Sequence, residues 1–291
     1  MKRRVALATY GRAPALAPDD QLLIPALDAL GILAEPVVWS SHAAMWTAFD
    51  AVVIRSCWDY HVHSDAFRAW LDALESAGVP VWNPASLVRW NSDKQYLIDL
   101  AERGVPTIQT VIVRRGRVSE IEEVVAKNGW KKFVIKPSVS ASGFETYAID
   151  VPIDEHGRST ISRVASSGDV LVQPFAEEVP HSGELSFVFL DGAFSHAALK
   201  RAAVATGEFR VQTEHGGTVE RTSPPSHLVE QAGRTLAVLP TTPLYARVDG
   251  IVRDDQFVLM ELELIEPNLF LDLESTAPAR MALGISRRLT H

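Results

Sequence analysis

Two stretches near the C-terminus constrain this chain most: Ala246-Arg247-Val248-Asp249-Gly250, and the alternating run Val258-Leu259-Met260-Glu261-Leu262-Glu263-Leu264. Residues two apart on a strand point to the same side, so Glu261 and Glu263 share a face, and a hairpin turning at Arg253-Asp254-Asp255 brings Asp249 beside them. Packed carboxylates repel one another unless a cation sits among them, and oxygen ligands on rigid strands suit Mg²⁺ or Mn²⁺ carrying phosphates. Taken alone, an alternating acid and apolar strand more often marks the solvated face of a half-buried sheet. The choice rests on what else the chain carries.

At 291 residues the chain is long enough for two or three subdomains, and 47% hydrophobic residues suffice to fill their cores. A net charge of -8 with no compensating basic run excludes a general nucleic-acid or membrane-surface role. Any phosphate binding has to be local. One cysteine, Cys57, excludes an intrachain disulfide framework. The basic N-terminal residues lead straight into a short apolar strand rather than a signal core, and no apolar run is long enough to span a bilayer. A cytoplasmic setting is expected, with the chain a monomer or homodimer.

Val5–Thr9 reads as a buried strand. Asp19 is placed to cap a helix whose Leu22, Leu23, Leu27 and Leu30 form one stripe before Gly31. Pro36–Trp39 and Ala51–Ile54 are strand-like, Ser64 opens a helix with Phe67, Trp70, Leu71 and Leu74 inward, and Val79–Trp82 is another strand. This β-α-β rhythm implies a parallel sheet, whose ligands sit at the carboxyl ends of strands. The strand ending at Ile54 delivers Arg55-Ser56-Cys57-Trp58-Asp59-Tyr60, a candidate substrate segment. Arg55 suits bidentate binding of a substrate carboxylate or, equally, a salt bridge with Asp59. Cys57 lacks an evident base and reads as a packed side chain, and His61 and His63 as loop residues.

A second unit follows Asn83-Pro84. Asn91 or Ser92 caps a helix bearing Lys94, Tyr96, Leu97 and Leu100. Phe133–Pro137 is a strand with Lys136 in its apolar run, followed by the small-residue loop Ser138–Gly143. Small residues let backbone N–H groups approach a phosphate, and an ammonium about 4 Å away gains about 4 kcal/mol at an effective dielectric of 20. The alternative is a snorkelling lysine beside an ordinary turn. No Gly-Lys-Ser/Thr follows, so this is not a P-loop. A third unit begins at the strand Val170–Phe175, followed by Glu177 and Glu178, and a hairpin turns at Asp191-Gly192 before Lys200-Arg201.

In order, Asp93-Lys94 on a helix, Val134-Ile135-Lys136-Pro137 before a small-residue loop, Val172-Gln173-Pro174-Phe175, and Asp249 followed by Glu261 and Glu263 resemble the ATP-grasp superfamily. Within it the chain is similar to the glutathione-synthetase-like ligases, and most to the O-ureido-serine cyclo-ligases of cycloserine biosynthesis and their relatives. That likeness includes Leu7-Ala8-Thr9-Tyr10, Asp19–Leu23, Arg55–Tyr60, Gly207-Glu208-Phe209-Arg210-Val211-Gln212 and Glu266-Pro267-Asn268-Leu269-Phe270-Leu271. The resemblance implies an α/β (α+β) ATP-grasp fold: an N-terminal parallel domain over 1–84, a central lobe over 85–172 and a C-terminal lobe over 173–291, the two lobes clasping nucleotide.

The same resemblance implies roles. Lys94 and Lys136 hold the α- and β-phosphates of ATP. Ser138, Ser140, Ser142 and Gly143 form the phosphate lid, and Gln173, Phe175 and Glu177 seat adenosine. Arg210 steadies the transferring phosphate, with Lys200 or Arg201 in support, and Asp249, Glu261 and Glu263 carry Mg²⁺. Many members have asparagine where Glu263 stands, so the extra charge shifts metal preference or moves a ligand to Asn268. Arg55, Ser56, Trp58, Asp59 and Tyr60 face a small amino-acid-like substrate. His215-Gly216-Gly217 is a hairpin turn or part of the acceptor pocket. The implied chemistry phosphorylates a carboxylate so that a nitrogen nucleophile expels phosphate, which needs positioned cations rather than a nucleophilic side chain. An intramolecular cyclo-ligase is the leading subtype. An intermolecular amide ligase, a kinase and a nucleotide-sensing module without turnover are the alternatives.

Overall fold

The computed structural model describes residues 2–290, apart from the side chain of Thr206. Three sheets organise the chain. The first is parallel, in the order Leu33–Val38, Arg4–Thr9, Ala51–Ser56, Val81–Trp82. Its inner strands are buried along their length because both faces are covered. On one face lies the helix Ser64–Ser76, with Phe67, Trp70, Leu71 and Leu74 turned inward. On the other lie Leu23–Asp28 and the C-terminal helix Ala277–Leu289.

The expected helix capped by Asp19 is two short ones, Pro18–Gln21 and Leu23–Asp28, with Ala17 at the first N-cap. Pro25 has no N–H to give to the carbonyl of Gln21, so the helix breaks at Leu22. Only Leu23 and Leu27 are buried, while Leu22 and Leu30 face solvent. Asp19 is thereby released from capping.

The second sheet is antiparallel, in the order Val111–Val113, Val170–Pro174, Lys132–Pro137, Tyr147–Asp150. Helices Val118–Asn128 and Glu155–Ser167 cover one face through Ile121, Val125, Ile161 and Val164. Asp154 caps the second helix, accepting a 2.7 Å bond from the Gly157 amide. The third sheet has five antiparallel strands, in the order Thr218–Thr222, Ala193–Arg201, Glu184–Leu190, Tyr245–Arg253, Gln256–Glu263. Both predicted hairpin turns form, with Asp191-Gly192 and Asp254-Asp255 at positive φ as a type I′ turn requires.

The segment expected to open the central lobe packs elsewhere. Leu87, Tyr96, Leu97 and Leu100, on the helices Ala85–Asn91 and Tyr96–Glu102, bury against Phe187, Val248 and Leu262 of the third sheet. The chain then runs along the edge strand, with Ile108 N donating to Leu259 O and Leu259 N to Pro106 O. The central sheet begins only at Val111, and its strand Val170–Pro174 runs past the expected boundary at 172.

Asn91 ends its helix instead of capping the next. Its amide donates to Leu262 O and accepts from Leu264 N, at 2.8 and 2.9 Å. Asn83 binds Leu244 N, Tyr245 O and Leu264 O in the same way. A planar side-chain amide satisfies a donor and an acceptor at once, so these two asparagines fix the parallel domain and the helices to the strands that carry the acids.

Candidate active site

Antiparallel pairing sets the acid row. Asp249 stands opposite Glu261 and Arg247 opposite Glu263, and the register shifts by one residue between Asp249 and Gly250. A side chain at Gly250 would meet Val258 O at 2.3 Å, so only glycine fits this bulge. The next strand adds Ser186 opposite Asp249, and Lys200 lies opposite Glu184.

The three carboxylates share this face but do not converge on one point. Asp249, 1% exposed in its side chain, is held by Lys200 Nζ at 2.9 Å and by Arg247 at 2.9–3.0 Å. Glu261 lies 3.1 Å from Lys94 Nζ and 4.0 Å from Lys136 Nζ, and Glu263 pairs with Arg247 at 2.5 Å. Among the described residues, no group of three or more acidic, histidine or cysteine side chains is arranged to hold a metal ion. The expected preformed trio is thus corrected: four cations compensate the acids, and Asp249 is enclosed by two of them. Glu261 and Glu263 keep an open side, with about a quarter of each side chain exposed in the cleft. These hard oxygen donors fit Mg²⁺ if phosphate oxygens complete its shell.

The charges polarise one another. Burial opposes ionisation of Glu261, but Lys136 and Lys94 outweigh it and hold the carboxyl at about 2. Asp249 is likewise held at about 2 against burial by Arg247 and Lys200. Burial pushes Glu263 up to about 7 despite Arg247, with Glu261 and Asp249 adding to the rise. Burial lowers Lys136, opposed by Glu261 and reinforced by Lys94.

A cleft of about 530 Å³ runs past this row between the sheets. At one end Phe175, Phe209, Ile108, Val134 and Gln173 form an apolar slot with one amide. Phe175 and Phe209 meet edge to face at 5.7 Å, and Gln173 Nε2 donates to Thr110 Oγ1 at 2.8 Å. Ser140, Ala141, Ser142 and Gly143 roof the middle, with Ser142 and Gly143 at positive φ. Lys94 ties this roof down: its amide donates to Ser138 O and its ammonium to Ser140 O. Lys94 lies in the turn between two helices, not within one. Arg210 reaches the roof from the other lobe, and a Cβ on Gly143 would sit 3.3 Å from its Cδ. Both oxygens of Glu208 bind the Arg210 guanidinium, and those hydrogen bonds hold Glu208 at about 2.

The cleft therefore gathers Lys94, Lys136, Ser140, Ser142, Gly143, Gln173, Phe175, Arg210, Glu261, Glu263, Trp58 and Tyr60 from the expected set. Others lie elsewhere. Ser138 is buried behind the roof, and Glu177 is exposed and does not line the cleft. Arg201 is exposed and faces Glu220 at 3.7 Å, while its neighbour Lys200, on the opposite side of the strand, reaches Asp249 and lines the cleft. Alternation along a strand separates the two.

Arg55 is fully buried. It donates to Asp20 at 2.8 Å and to Pro267 O at 2.6 Å, and stacks over Tyr245 at 4.7 Å. Its ion pair is with Asp20, not Asp59, and Ser56 Oγ joins it by donating to Asp20. Asp59 instead accepts from Trp39 Nε1 at 2.7 Å. His215, Gly216 and Gly217 end a short 3-10 turn and lie outside the lining, whereas Thr213 and Glu214 just before them line it. Gly217 answers to packing, since a Cβ there would lie 2.2 Å from Val211 O. Among the lining residues to which the sequence reading gave no site role are Arg247, one strand repeat before Asp249, and Asp19 and Glu266. The Arg-x-Asp spacing carried a signal for the first, because it puts both side chains on one face.

A parallel domain followed by two antiparallel lobes around such a cleft defines an ATP-grasp ligase, and this chain is an enzyme of that class. The fold is shared with D-alanine–D-alanine ligase from Bacillus anthracis (TM-score 0.70, 15% identity, 99% of this chain and 97% of that one). It is also shared with a RimK domain ATP-grasp protein from Sphaerobacter thermophilus (TM-score 0.68, 20% identity, 96% and 97%). Residues 5–83 match the family described as the D-cycloserine synthetase DcsG N-terminal domain. The chain is 30% identical over 289 residues to the cycloserine biosynthesis protein DcsG of Streptomyces lavendulae, covering 94% of this chain and 95% of that protein. The crystal structure of D-cycloserine synthetase DcsG superposes with a TM-score of 0.90 at 27% identity, over 98% of this chain and 99% of that one. The chain belongs to the DcsG family. No helix among the described residues is long and apolar enough to cross a membrane.

Proposed function

We propose that this protein is an ADP-forming ligase that activates the carboxylate of a small amino-acid-like molecule as an acyl-phosphate and joins it to a nitrogen nucleophile within the same molecule. The observation that carries the reading is the meeting of Lys94 and Lys136 on Glu261, with Lys200 and Arg247 on Asp249 beside them, inside one cleft. Four cations facing a row of acids suit a magnesium nucleotide, and the likeness to DcsG over nearly the whole chain favours ring closure over joining two molecules.

In this reading the Phe175–Phe209 slot and Gln173 hold adenosine, and Lys94 and Lys136 neutralise the inner phosphates. Glu261 and Glu263 would hold Mg²⁺, which would supply neutralisation of the phosphate charge there. Arg210 exchanges its bonds to Glu208 for the transferred phosphoryl group. The substrate carboxylate oxygen attacks the γ-phosphorus, ADP leaves, and the nitrogen then attacks the acyl carbon and expels phosphate. The roof over Ser140–Gly143 keeps water from the acyl-phosphate. Arg247 faces the reacting carbonyl from the strand and offsets its developing charge.

An ADP-release screen over amino acids and their ureido and hydroxylamine derivatives, each with and without added amine, tests this. Release with a single amino-acid-like compound and no amine is expected. An absolute requirement for a separate amine would overturn the cyclising reading, and a stable phosphorylated product would overturn the ligase reading.

A further inference from the structure

One row of residues crosses the third sheet on the face that carries the acids: His196 stands opposite Val188, Val188 opposite Arg247, and Arg247 opposite Glu263. His196 reaches this row through a bulge. Phe194 pairs with Phe189 and His196 with Val188, so Ser195 is the extra residue, and it turns the imidazole to the face opposite Phe194. The irregular segment 264–270, which follows the acid strand, joins the two ends of the row. Arg247 Nη1 donates to Asn268 O at 2.9 Å, and His196 Nε2 bonds Leu269 O at 3.0 Å. These anchors stand on strands two spacings, about 10 Å, apart. A buried irregular segment has no ladder of its own, so its carbonyls need other donors. Tyr245, Trp58, Arg55, Arg247 and His196 meet, in turn, the five carbonyls from Ile265 to Leu269. Phe270 then takes a φ of +50°, its amide donates to Asn268 Oδ1 at 2.8 Å, and its ring lies 5.4 Å from the Arg247 guanidinium. The segment thus holds Arg247 by a carbonyl and a ring face, beside its pairs with Asp249 and Glu263.

We propose that His196 is a positioning residue for Arg247: it pins Leu269 O, and so fixes the adjoining Asn268 carbonyl and Phe270 ring against the guanidinium. Leu269 O can only accept, so Nε2 carries the proton, and Nδ1 of the neutral ring accepts from Ser195 Oγ at 3.0 Å. Burial lowers the imidazole's pKa, against the bond to Leu269, and the ring stays neutral in that tautomer. A side chain at 196 without this donor would leave Leu269 O unpaired in a buried place, a cost the segment relieves by shifting. Asn268 O shifts with it. Arg247 would then keep its charge but lose its fixed direction. The consequence for turnover rests on the ligase reading, in which Arg247 faces the reacting carbonyl, whereas the anchoring itself does not.

The test is hydrogen exchange at Arg247 Nε–H, followed by NMR in the nitrogen-15-labelled full chain without ligands, the signal being assigned by its loss in Arg247→Lys. His196→Asn places its amide where Nδ1 stands, short of Leu269 O, and His196→Met fills the space with no donor. Both should speed the exchange roughly tenfold, near the upper end for one buried hydrogen bond, while His196→Gln, whose longer amide reaches the Nε2 position, should stay within about threefold of the parent. The indole N–H of Trp39, bonded to Asp59 at 2.7 Å in the parallel domain, should keep its rate in all three. Unchanged Arg247 exchange in both loss variants, no recovery in His196→Gln, or an equal acceleration at Trp39, as general loosening would give, would overturn the proposal. In ADP release from Mg-ATP with O-ureidoserine, the loss variants should lower kcat roughly tenfold with KM for ATP within about threefold, and His196→Gln should restore kcat. Failure of the parent to release ADP would count against the ligase reading alone, and the exchange rates would still decide the anchor.

Discussion

Arg55 offers the sharpest separation of a structural from a substrate-binding role. Replacing it with methionine keeps the length of the side chain and removes the charge. Asp20 would keep its bond from Ser56 Oγ but lose the guanidinium at 2.8 Å, and Pro267 O would lose its 2.6 Å donor. Both ionic side chains are nearly sealed, at 0% and 4% exposed, so water cannot take over. Breaking a buried pair on one side costs about 3–5 kcal/mol, because the remaining charge stays uncompensated. At roughly 2–4 °C per kcal/mol for a domain somewhat smaller than this chain, the melting temperature should fall by roughly 6–20 °C. Removing both charges, as Arg55→Met with Asp20→Asn, should recover a large part of the loss. Thermal unfolding without ligands reads the stability, and steady-state kinetics well below the transition reads the site. KM for the amino-acid substrate should stay within about threefold of the parent, a change under 1 kcal/mol. An unchanged melting temperature with a KM raised tenfold or more would refute the argument and return Arg55 to the substrate pocket.

Glu261→Gln should reduce turnover at least 100-fold with the fold retained, as expected for loss of a group worth about 2.7 kcal/mol or more to the transition state, and a circular dichroism spectrum checks the fold. Lys200→Met should cost far more activity than Arg201→Met, since only Lys200 reaches Asp249, and parallel kinetics of the two variants decides it. Gly250→Ala, forced against Val258 O, should destabilise by about 1–3 kcal/mol in urea unfolding. Asp249 has its folded pKa depressed to about 2 from 3.8, so its contribution to stability is present above 3.8 and fades as the pH falls toward 2. Acid titration of stability should show a smaller loss in Asp249→Asn than in the parent, the remainder coming from Glu261, which is also held at about 2.

What the sequence disclosed follows physical range. The Asp254-Asp255 turn, the shared face of Glu261 and Glu263, and the lysine before the small-residue loop are set within a few residues by alternation and turn chemistry, and all three stand as read. Lys94 and Lys136 on one carboxylate required the family resemblance, because nothing local brings them together. Arg55 was misplaced because its partner Asp20 lies 35 residues away, and burial by a distant acid leaves no local trace. Arg201 and Lys200 differ only in strand phase, which the run did not fix. Asn91 resembled a cap, yet its amide serves a strand 171 residues on. Glu266 sits in an irregular segment and Asp19 in a four-residue helix, neither long enough for a periodicity to fix its direction.

The central claim is that a carboxylate is activated by phosphorylation between these cations. Substrate labelled with oxygen-18 in its carboxylate, turned over with unlabelled ATP, tests it most directly by mass spectrometry of the released phosphate. One labelled oxygen in each phosphate is the predicted result. Unlabelled phosphate from a completed turnover contradicts the account.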